Sequence, residues 1–507
     1  MVNPDIFRQY DIRGVWGKDL TGEVAELIGK AFSTYLLKSI NKKLLKGQKN
    51  FMVNPDIFRQ YDIRGIWGKD LTDEVAELIG KAFSTYLLKS INKNKAKVTV
   101  GWDARLHSPA IRDSLVKGLN SSGIDVIDLG MCPTPLQYYS LFKLPVDGGV
   151  MITGSHNPPE FNGFKLSVLK ETLFGDNIQV IRKIIEAKDV RNGSGTIESY
   201  PIIDNYFDFL KDKFQSFSGI KVVIDSGNGT AGLVAPRLLK FLGAEVFELY
   251  CEPDGRFPNH HPDPVAEKNL VDLVAKVKET NSHVGIGYDG DADRIGIVNE
   301  DGEIIWGDRL MIIFSREILK EHPGAKIIGE VKCSQTLYDD ISAHGGIPIM
   351  WKTGHSLIKE KLKKEHALLA GEMSGHLFFA DKYFGYDDAI YASLRLLEII
   401  KKAGEPYSSK ALLKDAPRLT STPEIRFDCP DEIKFKIIEK AKDAFKEYPA
   451  NTIDGIRIKF DDGWALIRAS NTQPALVLRF EAKDEKKLIE IRNFVEAKLK
   501  TIIENVR

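Results

Sequence analysis

Three stretches of the chain repeat one order of apolar and polar positions. They are KVTVGWDARLHSPAIRDSLVKGLNSSGIDVIDLG (97–130), IKVVIDSGNGTAGLVAPRLLKFLGAEVFELY (220–250) and AKIIGEVKCSQTLYDDISAHGGIPIMWKTG (325–354). Each opens with a short β-branched apolar run. A polar turn comes next, then apolar residues at helical spacing, a glycine at the helix end and a second apolar run. This order predicts strand, helix and parallel strand, and hence a parallel or mixed sheet covered by helices. Three such units, each in a region of about one hundred residues, predict three related α/β domains in tandem.

The pattern changes near the C-terminus. STPEIRFDCP and ALVLRFEA read as strands, DEIKFKIIEKAKDAFKEY and DEKKLIEIRNFVEAKLKTII as helices, and GIRIKF-DDG-WALIRAS as a hairpin turning at Asp461–Gly463. The predicted architecture is three tandem α/β mixed-sheet domains and a C-terminal α+β domain around a central cleft. The expected boundaries are 52–200, 201–303, 304–415 and 416–507, preceded by residues 1–51 as a redundant duplicate of the start of the first domain.

Composition narrows the class. At 507 residues the chain exceeds one core, and 43% hydrophobic with 28% charged residues is ordinary for a globular protein. Lys+Arg and Asp+Glu are equal at 71 each, and nothing in that balance argues for nucleic acid or an acidic membrane as the main partner, though it leaves room for a local basic pocket. Four scattered cysteines, Cys132, Cys251, Cys333 and Cys429, form no CxxC pair and suggest a reducing compartment. The first residues are polar and charged, unlike a signal peptide, and no apolar run nears the ~20 residues of a membrane span. A cytoplasmic protein is expected.

Four segments carry candidate chemistry. In TGSHNPPEFNGFK (153–165), Pro158 and Pro159 make a rigid loop that holds Ser155 beside His156. Such a serine suits a nucleophile or phosphoryl carrier; taken alone, the pair favours a surface turn. In GYDGDADRIGIV (287–298), Asp289, Asp291 and Asp293 recur at alternate positions between two apolar runs, so their oxygens can converge on one hard cation. Glu300 falls at the twelfth position of an EF-hand loop, but Arg294 stands where that loop needs glycine, and the flanks read as strands. Magnesium is favoured, and Arg294 beside it suits a phosphate. In GEMSGHLFF (371–379), Glu372, Ser374 and His376 lie two apart, and an extended segment would turn all three to one face, as sugar hydroxyls require. A polar cluster at a strand end fits that segment as well. WKTGHSLIKEK (351–361) adds Lys352 and His355 at another strand–helix turn. In RASNTQPALVLRF (468–480), Arg468, Ser470, Asn471 and Thr472 share a turn stopped by Pro474; a cap or simple turn fits, but the guanidinium so near the hydroxyls favours a phosphate clamp. One segment falls in each predicted domain, as a cleft between four domains would use them.

Together these segments resemble the α-D-phosphohexomutase superfamily, nearest to its bacterial bifunctional phosphomannomutase/phosphoglucomutase branch. The likeness runs from Met52 to the end and includes FRQYDIRG, FPNHHPDP and WKTGHSLIK. TGSHNPPEFNGFK resembles the phosphoserine loop, DGDADR the metal loop, GEMSGH the sugar loop and RASNTQP the phosphate loop. GEMSGH disfavours the phosphoglucosamine mutase branch, and Ala292 stands where the family commonly has glycine. The resemblance implies that phosphorylated Ser155 donates to a hexose 1- or 6-phosphate. A hexose 1,6-bisphosphate then forms, reorients and returns its other phosphoryl group. It implies Mg2+ on Ser155, Asp289, Asp291 and Asp293, with hexose 1,6-bisphosphate as activator. Catalytic duty is assigned to Ser155, Lys165, Arg64 and His376. Substrate contacts are assigned to Tyr61, Arg294, Lys332, Gly354 and His355, to Glu372, Met373, Ser374, Gly375 and His376, and to Arg468, Ala469, Ser470, Asn471 and Thr472. The expected partners are hexose phosphates, not nucleic acid or membrane, with a monomer or weak homo-oligomer. A metal-dependent phosphomonoesterase, a phosphoglucosamine mutase and a non-catalytic sugar-phosphate-binding relative are the alternatives.

The first forty residues occur twice. Met1–Asn41 and Met52–Asn92 differ only at Val15/Ile66 and Gly22/Asp73, so Tyr10 and Arg13 repeat as Tyr61 and Arg64. Connectivity favours the second copy. Its helix reaches the strand at VTVGWD through about six residues, whereas the first copy must loop out more than fifty, at a cost of about 2 kcal/mol. Asp73 near the helix start adds a small preference. The second copy is expected in domain 1. The first is expected as an appendage, arising from a duplication or a misplaced start, or less favourably as the filling of a neighbour's slot.

Overall fold

The computed structural model describes residues 21–28, 30, 53–470 and 474–506. It divides into two compact units, Met1–Asn54 and Pro55–Arg507. In the first unit a helix runs over 22–28, and the Thr21 hydroxyl accepts from the Val24 amide at 3.3 Å. Ala25 is exposed, and Leu27 is 54% exposed. In the second unit the same sequence forms the helix Asp73–Ile91, capped by Thr72, with Val75, Ala76 and Ile79 buried. The threonine cap forms in both copies, and among the described residues only the second copy buries its apolar face.

The three βαβ patterns fold as their periodicity predicts. Ala96–Trp102 runs parallel to Ile124–Met131, Lys221–Asp225 to Glu245–Leu249, and Lys326–Glu330 to Ile347–Trp351. Each first strand also pairs in parallel with a third: Gly148–Ile152, Val284–Tyr288 and Leu369–Gly371. Each third strand is followed by an antiparallel one: Phe161–Val168, Ile295–Asn299 and Leu377–Phe379. The three mixed sheets thus share one central strand order. The loops between third and fourth strands are 153–160, 289–294 and 372–376. Three of the four candidate segments therefore occupy one topological position, beyond the carboxyl end of a parallel strand, where ligands gather on α/β sheets.

Ile63–Ile66 adds to the edge of the first sheet against Phe161–Val168, with Arg64 opposite Gly163. The fourth sheet centres on the hairpin Ile456–Phe460 and Gly463–Ala469, followed by Ala475–Ala482. The helices Asp431–Ala444 and Glu485–Val506 pack on it through Ile437, Ile491 and Val495. One continuous apolar core joins the three α/β sheets through Leu136, Tyr206, Ile224, Ile286, Phe314 and Leu396. The fourth domain has its own core. All four cysteines are free, and no described helix is long and apolar enough to cross a membrane.

Candidate active site

Ser155 sits where two loops meet. Its backbone is left-handed, at φ 49°, and its side chain is buried. Asp103 at the end of the first strand accepts from the Gly154 amide at 2.9 Å and from Thr153 Oγ1 at 3.0 Å. The buried guanidinium of Arg105 donates to the carbonyls of Ser155 at 2.8 Å, Asn157 at 2.5 Å and Phe161 at 3.0 Å, and also to that of Pro158. A guanidinium spread over four carbonyls fixes the loop from inside. The second loop approaches across Gly290, where a Cβ would come within 2.6 Å of the Ser155 carbonyl. Ser155 Oγ donates to Asp289 Oδ2 at 3.0 Å and lies 3.2 Å from Nδ1 of the exposed His156.

Asp289, Asp291 and Asp293 are fully buried, and one carboxylate oxygen from each lies within 4.8 Å of the others. Asp289 accepts from the amides of Asp293 and Arg294 at 3.1 Å and from Arg294 Nε at 3.1 Å. Thr134 Oγ1 donates to Asp291 Oδ2 at 2.5 Å. Lys165 Nζ donates to Asp291 Oδ2 at 3.0 Å and to Asp293 Oδ2. Asp291 Oδ1 and Asp293 Oδ1 are buried with no hydrogen-bond partner. Buried carboxylate oxygens without a donor, beside a serine oxygen, fit a hard divalent cation. Ala292, between them, is buried at φ 60°, a conformation that costs a non-glycine residue free energy.

Charge state follows from this packing. Burial, then the charges of Asp293 and Asp291, push the Asp289 carboxyl well up. Burial alone would also raise Asp291, but the Lys165 ammonium and the Thr134 hydroxyl pull it below the usual carboxylate range. Lys165 is itself fully buried, yet Asp291 and Asp293 raise it well above an ordinary lysine, so it stays charged. His376 Nδ1 lies 3.1 Å from Asp387 Oδ2 and 3.7 Å from Asp293 Oδ1. Burial works against its proton, but Asp293, Asp387 and Glu372 hold it up to about 9.

The third loop differs from the sequence expectation. Residues 372–376 are a tight hairpin turn, not an extended segment: Gly375 N donates to Glu372 O at 3.0 Å and Glu372 N to His376 O at 2.9 Å. A period of two over five residues suits a strand or a turn equally, and Gly375, at φ 89°, decides it. The turn still gathers the predicted groups. Ser374 Oγ donates to Glu372 Oε2 at 3.4 Å, and Met373 N to Glu330 Oε1 at 3.0 Å. Ile295, at the end of the aspartate loop, donates to the Gly375 carbonyl at 3.2 Å. Glu372 Oε1 accepts from Gly354 N at 2.6 Å, and burial followed by the Glu330 charge raises Glu372. Gly354 has φ 130°, and a Cβ there would meet the Tyr61 ring at 2.5 Å. Tyr61 in turn donates to Thr353 O at 2.8 Å, and the His355 and His376 rings stack 5.6 Å apart.

The remaining predicted residues divide. Arg64 donates to Gly154 O and pairs with Asp62, so it abuts the Ser155 loop. Arg294 is turned onto Asp289 and lies 3.2 Å from Asp263 Oδ1, with its Nη2 buried and unpartnered. Lys332 Nζ lies 3.1 Å from Glu424 and 3.5 Å from Glu330. Arg468 pairs with Asp454 at 2.9 Å, and the same Asp454 oxygen accepts from Thr353 N at 3.1 Å, tying the fourth domain to the Gly354 turn. Ala469 and Ser470 are buried beside it. Asn471 and Thr472, and Tyr10 and Arg13 of the first copy, lie outside the described residues. Sequence reasoning missed Arg105, Thr134 and Asp387. Only Asp103–Arg105 had a local signal, a polar run at a strand end.

Three sheets of one topology, each with its polar loop at the same sheet end, and a fourth domain reaching back to one of them define a four-domain α/β protein of phosphohexomutase type. Residues 55–192 match phosphoglucomutase/phosphomannomutase alpha/beta/alpha domain I, 204–302 domain II, 306–417 domain III and 424–498 the C-terminal domain. The chain belongs to the phosphoglucomutase/phosphomannomutase family. It is 47% identical over 448 residues to the phosphomannomutase/phosphoglucomutase of Pseudomonas aeruginosa, covering 88% of this chain and 96% of that one. It is 44% identical over 460 residues to the phosphoglucomutase of Neisseria gonorrhoeae, covering 89% of this chain and 98% of that one. Among solved structures, a phosphoglucomutase/phosphomannomutase family protein of Burkholderia thailandensis superposes with a TM-score of 0.84 at 42% identity, covering 90% of this chain and 99% of that one.

Proposed function

We propose that this protein is an isomerase that interconverts hexose 1-phosphate and hexose 6-phosphate, of mannose, glucose or both, with Ser155 as the phosphoryl carrier. The observation that carries the reading is the Ser155 hydroxyl 3.0 Å from Asp289, at the edge of three buried aspartates and the Lys165 ammonium. Phosphoryl transfer asks for position and charge neutralisation more than for covalent chemistry, and this cluster supplies both. Asp289, Asp291, Asp293 and Ser155 would hold Mg2+, which when bound neutralises charge on the transferring group. Lys165 holds the aspartates in place and presents a fixed positive charge to the same group. Arg64 steadies the Ser155 loop through Gly154. His376, charged at neutral pH, would give its proton to the sugar oxygen as that oxygen leaves a phosphoryl group. Glu372 and Ser374 read hydroxyls, with Tyr61, Gly354, His355, Met373 and Gly375 shaping their turn. Arg468, with Ala469, Ser470, Asn471 and Thr472, grips the phosphate that is not reacting, while Arg294 and Lys332 add positive charge.

Such a clamp must accept either end of the sugar, so it binds phosphate and not one carbon. A hexose 1,6-bisphosphate bound as intermediate returns either phosphoryl group to Ser155 and also primes an unphosphorylated enzyme. The first copy, 1–51, is a redundant appendage to four domains bounded near 200, 303 and 415. The test is turnover of glucose 1-phosphate and mannose 1-phosphate with and without Mg2+ and glucose 1,6-bisphosphate. Isomer formation that requires Mg2+ and is stimulated by the bisphosphate is expected. Release of inorganic phosphate in place of the isomer would overturn the reading in favour of a phosphomonoesterase.

A further inference from the structure

The fourth domain holds one short loop of the third domain by its backbone. The loop, 331–334, joins the strand Lys326–Glu330 to the helix Gln335–Ala343. Arg457, buried on Ile456–Phe460, donates through Nη1 to Val331 O and Cys333 O, both at 2.7 Å. Arg479, buried on Ala475–Ala482, donates to the carbonyl between them, that of Lys332. Three consecutive carbonyls thus accept from two guanidinium groups of another domain. The two arginines lie over the ring of Trp464, at 3.8 Å and 5.8 Å. Trp464 Nε1 donates to Glu481 Oε1 at 2.8 Å, and that oxygen also accepts from Gln335 N at 3.0 Å. Trp464 stands on Gly463–Ala469, the same strand that carries Arg468.

We propose that Arg457 and Arg479 are positioning residues for Lys332: by fixing the carbonyls of 331–333 they set where the Lys332 ammonium stands. Seating of the strand that carries the phosphate clamp and placement of Lys332 thereby become one event. The inference rests on Lys332 being a substrate residue, as in the function proposed above. The chemistry favours arginine. Nη1 alone bridges two carbonyls two residues apart at the end of a rigid planar group, whereas the lysine stem is one atom shorter, so an ammonium at 457 falls short of at least one of them and leaves a buried carbonyl unpaired. The loop then turns to recover that hydrogen bond and carries Lys332 with it. General adhesion between the two domains is the competing account, and it makes no reference to Lys332.

A double-mutant cycle in the full chain separates the two. The variants are Arg457→Lys, Lys332→Ala and their combination, read by calorimetric binding of glucose 6-phosphate and by KM and kcat. Arg457→Lys should weaken glucose 6-phosphate by about fivefold, the net worth of one hydrogen bond, with kcat changed by less than about twofold. In the Lys332→Ala background the same change should have an effect below about 1.5-fold. Equal weakening in both backgrounds, or none in either, overturns the inference. Arg479→Lys repeats the cycle where Arg457→Lys lowers the folded fraction. Binding without turnover in the wild type would defeat the proposed function alone, because the binding cycle still reads; absence of binding would defeat both.

Discussion

Glu424 shows how far one neighbour can set a residue's behaviour. The Lys332 ammonium, 3.1 Å away, outweighs its burial and holds its carboxyl at about 2, against an ordinary 4.5. A folded pKa below the unfolded one means that the carboxylate stabilises the fold in full above about pH 4.5 and loses that contribution as pH falls toward about 2. The upper bound is about 3 kcal/mol. The thermal midpoints of wild type and Glu424→Gln should therefore lie apart at pH 7 and converge as pH falls below about 4.5. A gap independent of pH would show that the ion pair contributes nothing. At this scale legibility in the sequence depended on separation along the chain. Asp289, Asp291 and Asp293 announce themselves because they recur at alternate positions within five residues. Lys165 meets its partners from 126 and 128 residues away, and its place came only from the family likeness. Asp387 carries no local signature, and Arg105 only a polar run at a strand end, because what defines them is the set of carbonyls and cations that the fold brings to them.

Among the elements, strands and helices were the readable part. Apolar periodicity, a polar turn and a terminal glycine locate the three βαβ units, and the Asp461–Gly463 turn locates the hairpin. The order of strands within a sheet was not readable, because pairing between distant strands leaves no local mark. That order is what makes the loops 153–160, 289–294 and 372–376 equivalent. The turn at 372–376 was misread as extended for a related reason: alternation over so short a run fits both, and φ at one glycine separates them. Gly354 offers the sharpest test at this scale. Its φ of 130° and the Tyr61 ring, 2.5 Å from an added Cβ, leave no room for a side chain. Gly354→Ala should cost roughly 1–3 kcal/mol of stability and raise KM for glucose 1-phosphate severalfold, because Tyr61 has to give way. A thermal midpoint and KM equal to wild type would show that the turn relaxes freely.

For the whole molecule the doubled N-terminal segment poses the clearest question. The second copy supplies the strand Ile63–Ile66 at the sheet edge and the buried helix Asp73–Ile91, and the family match begins at residue 55. Removing residues 1–51 should leave mutase activity within about twofold, because the matched domains begin at residue 55; a large loss would make the first copy the working one. The three α/β domains share a core while the fourth has its own, so the site depends on how the fourth is seated as well as on its side chains. All of this rests on Ser155 carrying the phosphoryl group. The most direct measurement is peptide mass spectrometry of wild type and Ser155→Ala after incubation with glucose 1,6-bisphosphate, alongside turnover of glucose 1-phosphate. One phosphoryl group on the Ser155 peptide of the wild type is predicted, with neither label nor turnover in Ser155→Ala and glucose 6-phosphate affinity kept within about threefold. Full turnover by Ser155→Ala, or a phosphoryl group on another residue, would contradict the account.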